Sequence, residues 1–135
     1  FLSGKILLPR EVVVADSIDS PSSDIKAIDS VDGKDKIFDM NLSSEMSNII
    51  ETSKTILWNG PIGVFEKKPF QKGTIDLAKS IAKSEAFSLA GGGETIAAIN
   101  KFINKDDVSY CSTGGGAFLE YMEGALLPSI EALGG

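Results

Sequence analysis

Apolar and polar positions along this chain fall in short blocks that read as strands and helices in turn. Residues 5–8 and 12–15 are rich in apolar and β-branched side chains, with Pro9 between them. Both read as strand, the second as a buried one. Residues 17–24 are polar loop, 25–28 a short edge strand, 31–36 a turn around Gly33, and 36–40 another short strand. Asn41 or Ser43 can cap the helix that follows. Its Leu42, Met46, Ile49 and Ile50 fall at i, i+4, i+7 and i+8, the spacing of one buried face. Residues 55–58 form a strand, and 59–63 its exit loop. Pro69 and Thr74 punctuate the next segment. A helix to about residue 84 turns Ile75, Ala78, Ile81 and Ala82 inward, while Lys67, Lys68, Lys72, Lys79 and Lys83 lie in solvent. A strand at 87–90 precedes a helix carrying Ile96, Ile99 and Ile103, a polar turn at 104–107 and a strand at 108–112. Phe118, Leu119 and Met122 mark a further helix that Gly124 ends, and Pro128 suits the first turn of a last one over 128–133.

Strands alternating with helices predict an α/β fold: a Rossmann-like, three-layer parallel sheet with helices on both faces. The first quarter, with strands and long turns but little helix, predicts an antiparallel or mixed edge. No internal boundary is visible, so residues 1–135 read as a single domain long enough for a real core. The chain opens inside apolar sequence at Phe1 and ends on Leu133-Gly134-Gly135, which reads as a piece of something longer.

Three strand ends run into glycine. FSLAGGGETIAA begins at Phe87, VSYCSTGGGA at Val108 and TILWNGPIGV at Thr55. Glycine at a strand–helix junction lets a ligand approach bare main chain. The free N–H groups of the helix start, with the helix dipole, attract an anion, usually phosphate. In an open parallel sheet such loops share the carboxyl edge, where ligands bind. Three of them side by side point to a nucleotide or phosphoryl group; the alternative is that they only turn the chain.

The net charge of −6 argues against nonspecific binding to nucleic acid or an anionic membrane. Arg10 is the sole arginine, so any charge clamp for phosphoryl transfer is absent or lies on chain outside this sequence. With no histidine there is no Ser–His–Asp triad and no histidine metal ligand. The lone Cys111 excludes an internal disulfide, fits a reducing compartment, and reads as a buried apolar residue rather than a nucleophile. Trp58 reads as core rather than as a ligand platform. No signal peptide or membrane span is visible. The dinucleotide fingerprint fails, because Ile96 and Leu119 stand where its third small residue belongs. The P-loop also fails: Gly33-Lys34 is followed by Asp35.

WNGPIGVFE from Trp58, AGGGET from Ala90 and STGGGAFLE from Ser112 resemble phosphoglycerate kinases in motif, order and spacing. KILLP and VVVAD near the start and EGALLPSIEAL at the end match as well, so the resemblance covers nearly all of the chain. It implies most of the carboxyl-terminal, nucleotide-binding domain of a two-domain enzyme of glycolysis, cytoplasmic and monomeric when complete. Such enzymes transfer a phosphoryl group between 1,3-bisphosphoglycerate and ADP, with ATP/ADP and Mg2+ at the site. By position, the resemblance implies that Asn59, Gly60, Pro61, Gly63 and Val64 line the nucleotide site and that Glu66 binds the ribose hydroxyls. Main chain at Ile37, Phe38 and Asp39 would flank the adenine. Gly92, Gly93 and Thr95 would meet the phosphates, and Glu94 would help hold magnesium. Gly114, Gly115 and Gly116 would carry the catalytic role, stabilising the phosphoryl group in transfer.

Two positions depart from the family pattern: Glu94 replaces the usual aspartate, and Asn41 stands where glycine is common. The family's substrate-binding arginines and histidine belong to its amino-terminal domain, and its nucleotide-gripping lysines would precede Phe1. The resemblance therefore implies a fragment inactive alone, with phosphoglycerate and the amino-terminal domain as partners. The alternatives are a non-enzymatic α/β nucleotide-binding module, or a structural fragment that binds nothing.

Overall fold

The structure, a computed structural model, describes residues 4–112 and Gly124. Its strands are β1 (Glu11–Ala15), β2 (Asp24–Ala27), β3 (Lys36–Met40), β4 (Thr55–Asn59), β5 (Phe87–Gly91) and β6 (Tyr110–Cys111). Its helices are α1 (Ser44–Thr52), α2 (Lys72–Lys83) and α3 (Gly93–Phe102). The strands form two sheets, one ordered β2-β1-β3 and antiparallel, the other ordered β4-β5-β6 and parallel. The α/β class follows, and the antiparallel part occupies the first quarter of the chain as expected.

β1 is the central strand of the first sheet, and its run of Val12, Val13 and Val14 is buried throughout. The expected edge strand is β2. Residues 5–8, expected as a strand, form none; Ile6 and Leu8 are 51% and 68% exposed. Apolar composition there is not matched by a pairing partner among the described residues. Pro9 has no N–H to donate, and the ladder starts only at Arg10, whose carbonyl accepts from Ile28 N–H at 2.8 Å.

Ser43 is the residue that caps α1, its Oγ accepting from Met46 N–H at 3.2 Å. The expected buried face of α1 is narrower than its spacing suggests. Met46 is buried and Ile50 packs at the edge of the core, but Leu42 precedes the helix and Ile49 is 44% exposed. α1 packs along α2, which covers one stripe of it and leaves Ile49 outside.

In the parallel sheet α2 joins β4 to β5, and α3 joins β5 to β6. Trp58, Ala78, Ile81, Ala90, Ile99 and Val108 form the core between sheet and helices, with Ile96, Phe102, Ile103 and Cys111 packed against it. Burying each large side chain contributes about 1.5–3 kcal/mol, so Trp58, Ile81 and Ile99 anchor this layer, and Trp58 is core as expected. Strand side chains alternate between faces; the intervening Leu57, Phe87 and Tyr110 are about half exposed. α2 starts at Lys72, so Thr74 lies inside its first turn, fully buried, with its hydroxyl donating to the Ile62 carbonyl.

The third glycine loop, the helix face of Phe118, Leu119 and Met122 and the helix expected over 128–133 lie outside the described residues. Gly124 has φ 89°, a conformation suited to the helix end expected there. Among the described residues no helix is long and apolar enough to cross a membrane.

Candidate functional site

β4 and β5 run parallel in register from Thr55 opposite Phe87 to Asn59 opposite Gly91. Both strands therefore end level, and their glycine loops leave the same edge. Gly60 and Gly92 have φ of 97° and 95°, which L side chains rarely adopt. Gly60 is held at both its polar groups. Its N–H donates to Thr95 Oγ1 at 2.6 Å, and its carbonyl accepts from Trp58 Nε1 at 3.0 Å. A Cβ on Gly92 would stand 3.6 Å from both Asn59 Oδ1 and Thr95 Oγ1. Asn59, Gly60, Gly92 and Thr95 thus form one cluster. Thr95 is 1% exposed, so its hydroxyl ties the two loops together out of contact with water. Thr95→Val removes the acceptor and strands the Gly60 N–H. We expect a stability loss of about 1–3 kcal/mol, read by urea unfolding, with Thr95→Ser much nearer the parent.

α3 begins at this cluster. Its N-cap, Gly92, offers no side-chain hydrogen bond, and Gly93 opens onto free space. The first N–H groups of α3 lack a side-chain cap and carry the positive end of the dipole, which suits an anion. Glu94 lies in this first turn, exposed, and makes no hydrogen bond or ion pair among the described residues.

Beside the cluster lies a pocket of about 410 Å³. Ile62, Gly63 and Val64 form one wall; Ile37, Phe38, Asp39 and Met40 on β3 form another, and Pro9, Val12 and Ile28 complete the lining. Val64 N–H donates to the Phe38 carbonyl at 2.9 Å, fixing the separation of the walls. The Phe38 ring leans on Phe70, with centroids 4.9 Å apart. Asp39 is buried, and its Oδ2 accepts from Gly73 N–H at 2.9 Å. Burial pushes its carboxyl pKa above the usual carboxylate value, while the Gly73 N–H pulls the other way.

Past the pocket, Phe65 is buried edge-on against Phe102, with centroids 6.1 Å apart. Lys101 Nζ lies 5.9 Å and 5.5 Å from these ring centroids and donates to the Phe65 carbonyl at 3.4 Å. This places the next residue, Glu66, at the surface. Lys67 pairs with Asp19 at 2.7 Å, leaving the Glu66 carboxylate without an ion pair among the described residues.

The structure thus gathers Asn59, Gly60, Gly92 and Thr95 at one point, and Gly63 and Val64 with Ile37, Phe38 and Asp39 in the adjoining pocket. Pro61 connects the two. Gly93, Glu94 and Glu66 are exposed nearby in sequence. Gly114, Gly115 and Gly116 lie outside the described residues, although β6 ends on the same edge and Ser112 N–H reaches the Ala90 carbonyl at 2.7 Å. The sequence reading named Asp39 only for its main chain and passed over Lys101. An acid within a short, otherwise mostly apolar strand was the available signal for Asp39; Lys101 gave none, since its contact with Phe65 spans 36 positions.

The family model for phosphoglycerate kinase matches residues 2–125. This chain belongs to the phosphoglycerate kinase family. The phosphoglycerate kinase of Vibrio campbellii is 52% identical over 131 residues, covering 95% of this chain and 34% of that protein. The chain therefore spans about a third of its relative's length. Among solved structures, phosphoglycerate kinase from Coxiella burnetii superposes with TM-score 0.83 at 45% identity, over 93% of this chain and 33% of that one. That from Pyrococcus horikoshii OT3 gives 0.75 at 34% identity, over 93% and 31%. The α/β architecture is thus that of part of a larger kinase. At the Asn41 departure from the family pattern, the side chain donates to Glu11 Oε2 at 3.1 Å and the main-chain N–H to the Glu11 carbonyl at 3.2 Å. Those bonds fasten the end of β3 to β1.

Proposed function

We propose that this chain carries the magnesium–nucleotide site of an enzyme transferring a phosphoryl group between 1,3-bisphosphoglycerate/ADP and 3-phosphoglycerate/ATP. The observation that carries the reading is the Gly60 N–H to Thr95 hydroxyl bond, which joins two glycine loops above adjacent parallel strands. Phosphates at the start of α3 would meet the N–H groups following Gly92 and at Gly93, while buried Thr95, expected to meet them too, would act from behind by fixing the loop through Gly60. The adenine would lie in the apolar pocket, flanked by main chain at Ile37, Phe38 and Asp39 and lined by Val64, and Glu66 would accept the ribose hydroxyls. Asn59, Gly60 and Pro61 hold the connecting wall. The Glu94 carboxylate, unpaired among the described residues, is a hard oxygen donor of the kind magnesium takes, beside the place the phosphates would occupy. When bound, magnesium would neutralise phosphate charge as it develops. Gly114, Gly115 and Gly116 would stabilise the phosphoryl group in transfer. Residues 1–135 are read as one unit of the nucleotide-binding half of a glycolytic, cytoplasmic enzyme, monomeric when complete.

Glu66→Gln in the complete enzyme tests the ribose contact. A charge-assisted hydrogen bond contributes about 1.5–3 kcal/mol, so nucleotide affinity is expected to fall at least about tenfold with the melting temperature unchanged. Calorimetry with magnesium-ADP gives the answer; an unchanged Kd would make Glu66 a solvated surface charge.

A further inference from the structure

We propose that Asp39 is the positioning residue of the apolar pocket: its carboxyl group holds the wall of Ile62, Gly63 and Val64 against the start of α2, and so sets nucleotide affinity. The second half of that statement rests on the reading of the pocket as the nucleotide's. Asp39 is 3% exposed on β3, and its Oδ2 accepts from Gly73 N–H in the first turn of α2. Oδ1 makes no well-formed hydrogen bond among the described residues; the Met40 N–H next to it favours the charged carboxylate without closing one. Oδ1 fills the space left by two glycines instead. A Cβ on Gly63 would fall 2.5 Å from Oδ1 and 2.5 Å from the Phe38 carbonyl oxygen. A Cβ on Gly73 would fall 2.4 Å from Oδ1 and 2.4 Å from the Met40 carbonyl oxygen. Real Cβ atoms do not approach so closely, so the pocket wall and the helix start both close on this carboxyl group at a separation that only glycine permits.

Burying a carboxyl group with one oxygen unpartnered is unfavourable. An apolar side chain would fill a core position without that penalty, but it could not accept the Gly73 N–H. Asp39 meets the wall by packing against Gly63, and two hydrogen bonds tie the same wall: Val64 N–H reaches the Phe38 carbonyl beside Asp39, and the Thr74 hydroxyl beside Gly73 reaches the Ile62 carbonyl. β3, the wall and α2 therefore meet at Asp39. A shift there moves Gly63 and Val64, which line the pocket.

The test uses the complete enzyme with Asp39→Ala and Asp39→Asn, the second keeping the shape and one acceptor. Hydrogen exchange of the peptide spanning residues 61–65 reads the wall directly. KM for the nucleotide and for phosphoglycerate reads the consequence. Asp39→Ala is expected to speed exchange at 61–65 and raise nucleotide KM about tenfold with phosphoglycerate KM held, and Asp39→Asn to lie much nearer the parent. Parent-like exchange in Asp39→Ala overturns the proposal, as does Asp39→Asn damaging the wall as much as alanine does. Faster exchange with an unchanged nucleotide KM supports Asp39 as the anchor of the wall and overturns the nucleotide reading of the pocket instead. If Asp39→Ala yields no folded enzyme, Asp39→Ser, too short to reach Gly73 N–H well, replaces it under the same criteria.

Discussion

The 135-residue chain, purified and assayed alone, is expected to show no phosphoryl transfer above the uncatalysed background. Phosphoryl transfer depends on positioning and charge stabilisation from both sides of the transferred group. The site described here supplies backbone amides, carboxylates and an apolar pocket, but little positive charge. Arg10, the sole arginine, lies 3.9 Å from Glu45 on α1. Lys101 is turned to Phe65 and Phe102, Lys67 to Asp19 and Lys72 to Asp76. None of these pairs a cation with the start of α3. The relatives that catalyse the reaction by name are about three times as long. A coupled assay with ATP and 3-phosphoglycerate checks the expectation, and turnover near that of a complete kinase would show that the charge clamps are dispensable.

Glu94→Gln in the complete enzyme is expected to lower kcat ten- to a hundredfold, roughly what loss of a metal-orienting partner removes. Raised magnesium should restore part of it. The competing account gives Glu94 only a helix-dipole role, since an acid in a first turn stabilises a helix by about 0.3–1 kcal/mol. The two diverge in their readout. A dipole role lowers the melting temperature slightly and leaves kcat alone; a metal role makes the defect depend on magnesium. Glu94→Asp restores the side chain usual in the family and should keep or improve activity. Magnesium titrations of both variants separate the accounts, and Glu94→Gln matching the parent at every concentration would leave phosphate binding to Gly92, Gly93 and Thr95.

Elements set by local chemistry were legible from the residues alone. β3 occupies the five residues expected, Ser43 caps α1, and Trp58 sits in the core because an indole at a parallel strand's end has sheet and helix to cover it. Elements set by partners were not. Residues 5–8 look like β1 in composition but find no neighbour to pair with among the described residues. Ile49 has helical spacing and still faces water, because only one stripe of α1 meets α2. The glycine loops pointed by repetition to one shared strand edge, yet the bond from Gly60 to Thr95 spans 35 positions and has no local signature. Asp39 is the sharpest case. An acid in a short, mostly apolar strand marks the position, but nothing local shows that the fold closes Gly63 and Gly73 on it.

The most direct measurement replaces the corresponding third of the Vibrio campbellii enzyme with this chain and assays the hybrid for 3-phosphoglycerate-dependent ATP consumption. At 52% identity across 131 residues, the junctions fall within matched sequence. A chain that carries the magnesium–nucleotide site should give an active hybrid, with a nucleotide KM within about tenfold of the parent enzyme's and abolished by magnesium chelation. A folded hybrid that binds 3-phosphoglycerate but neither binds nor consumes ATP would contradict it.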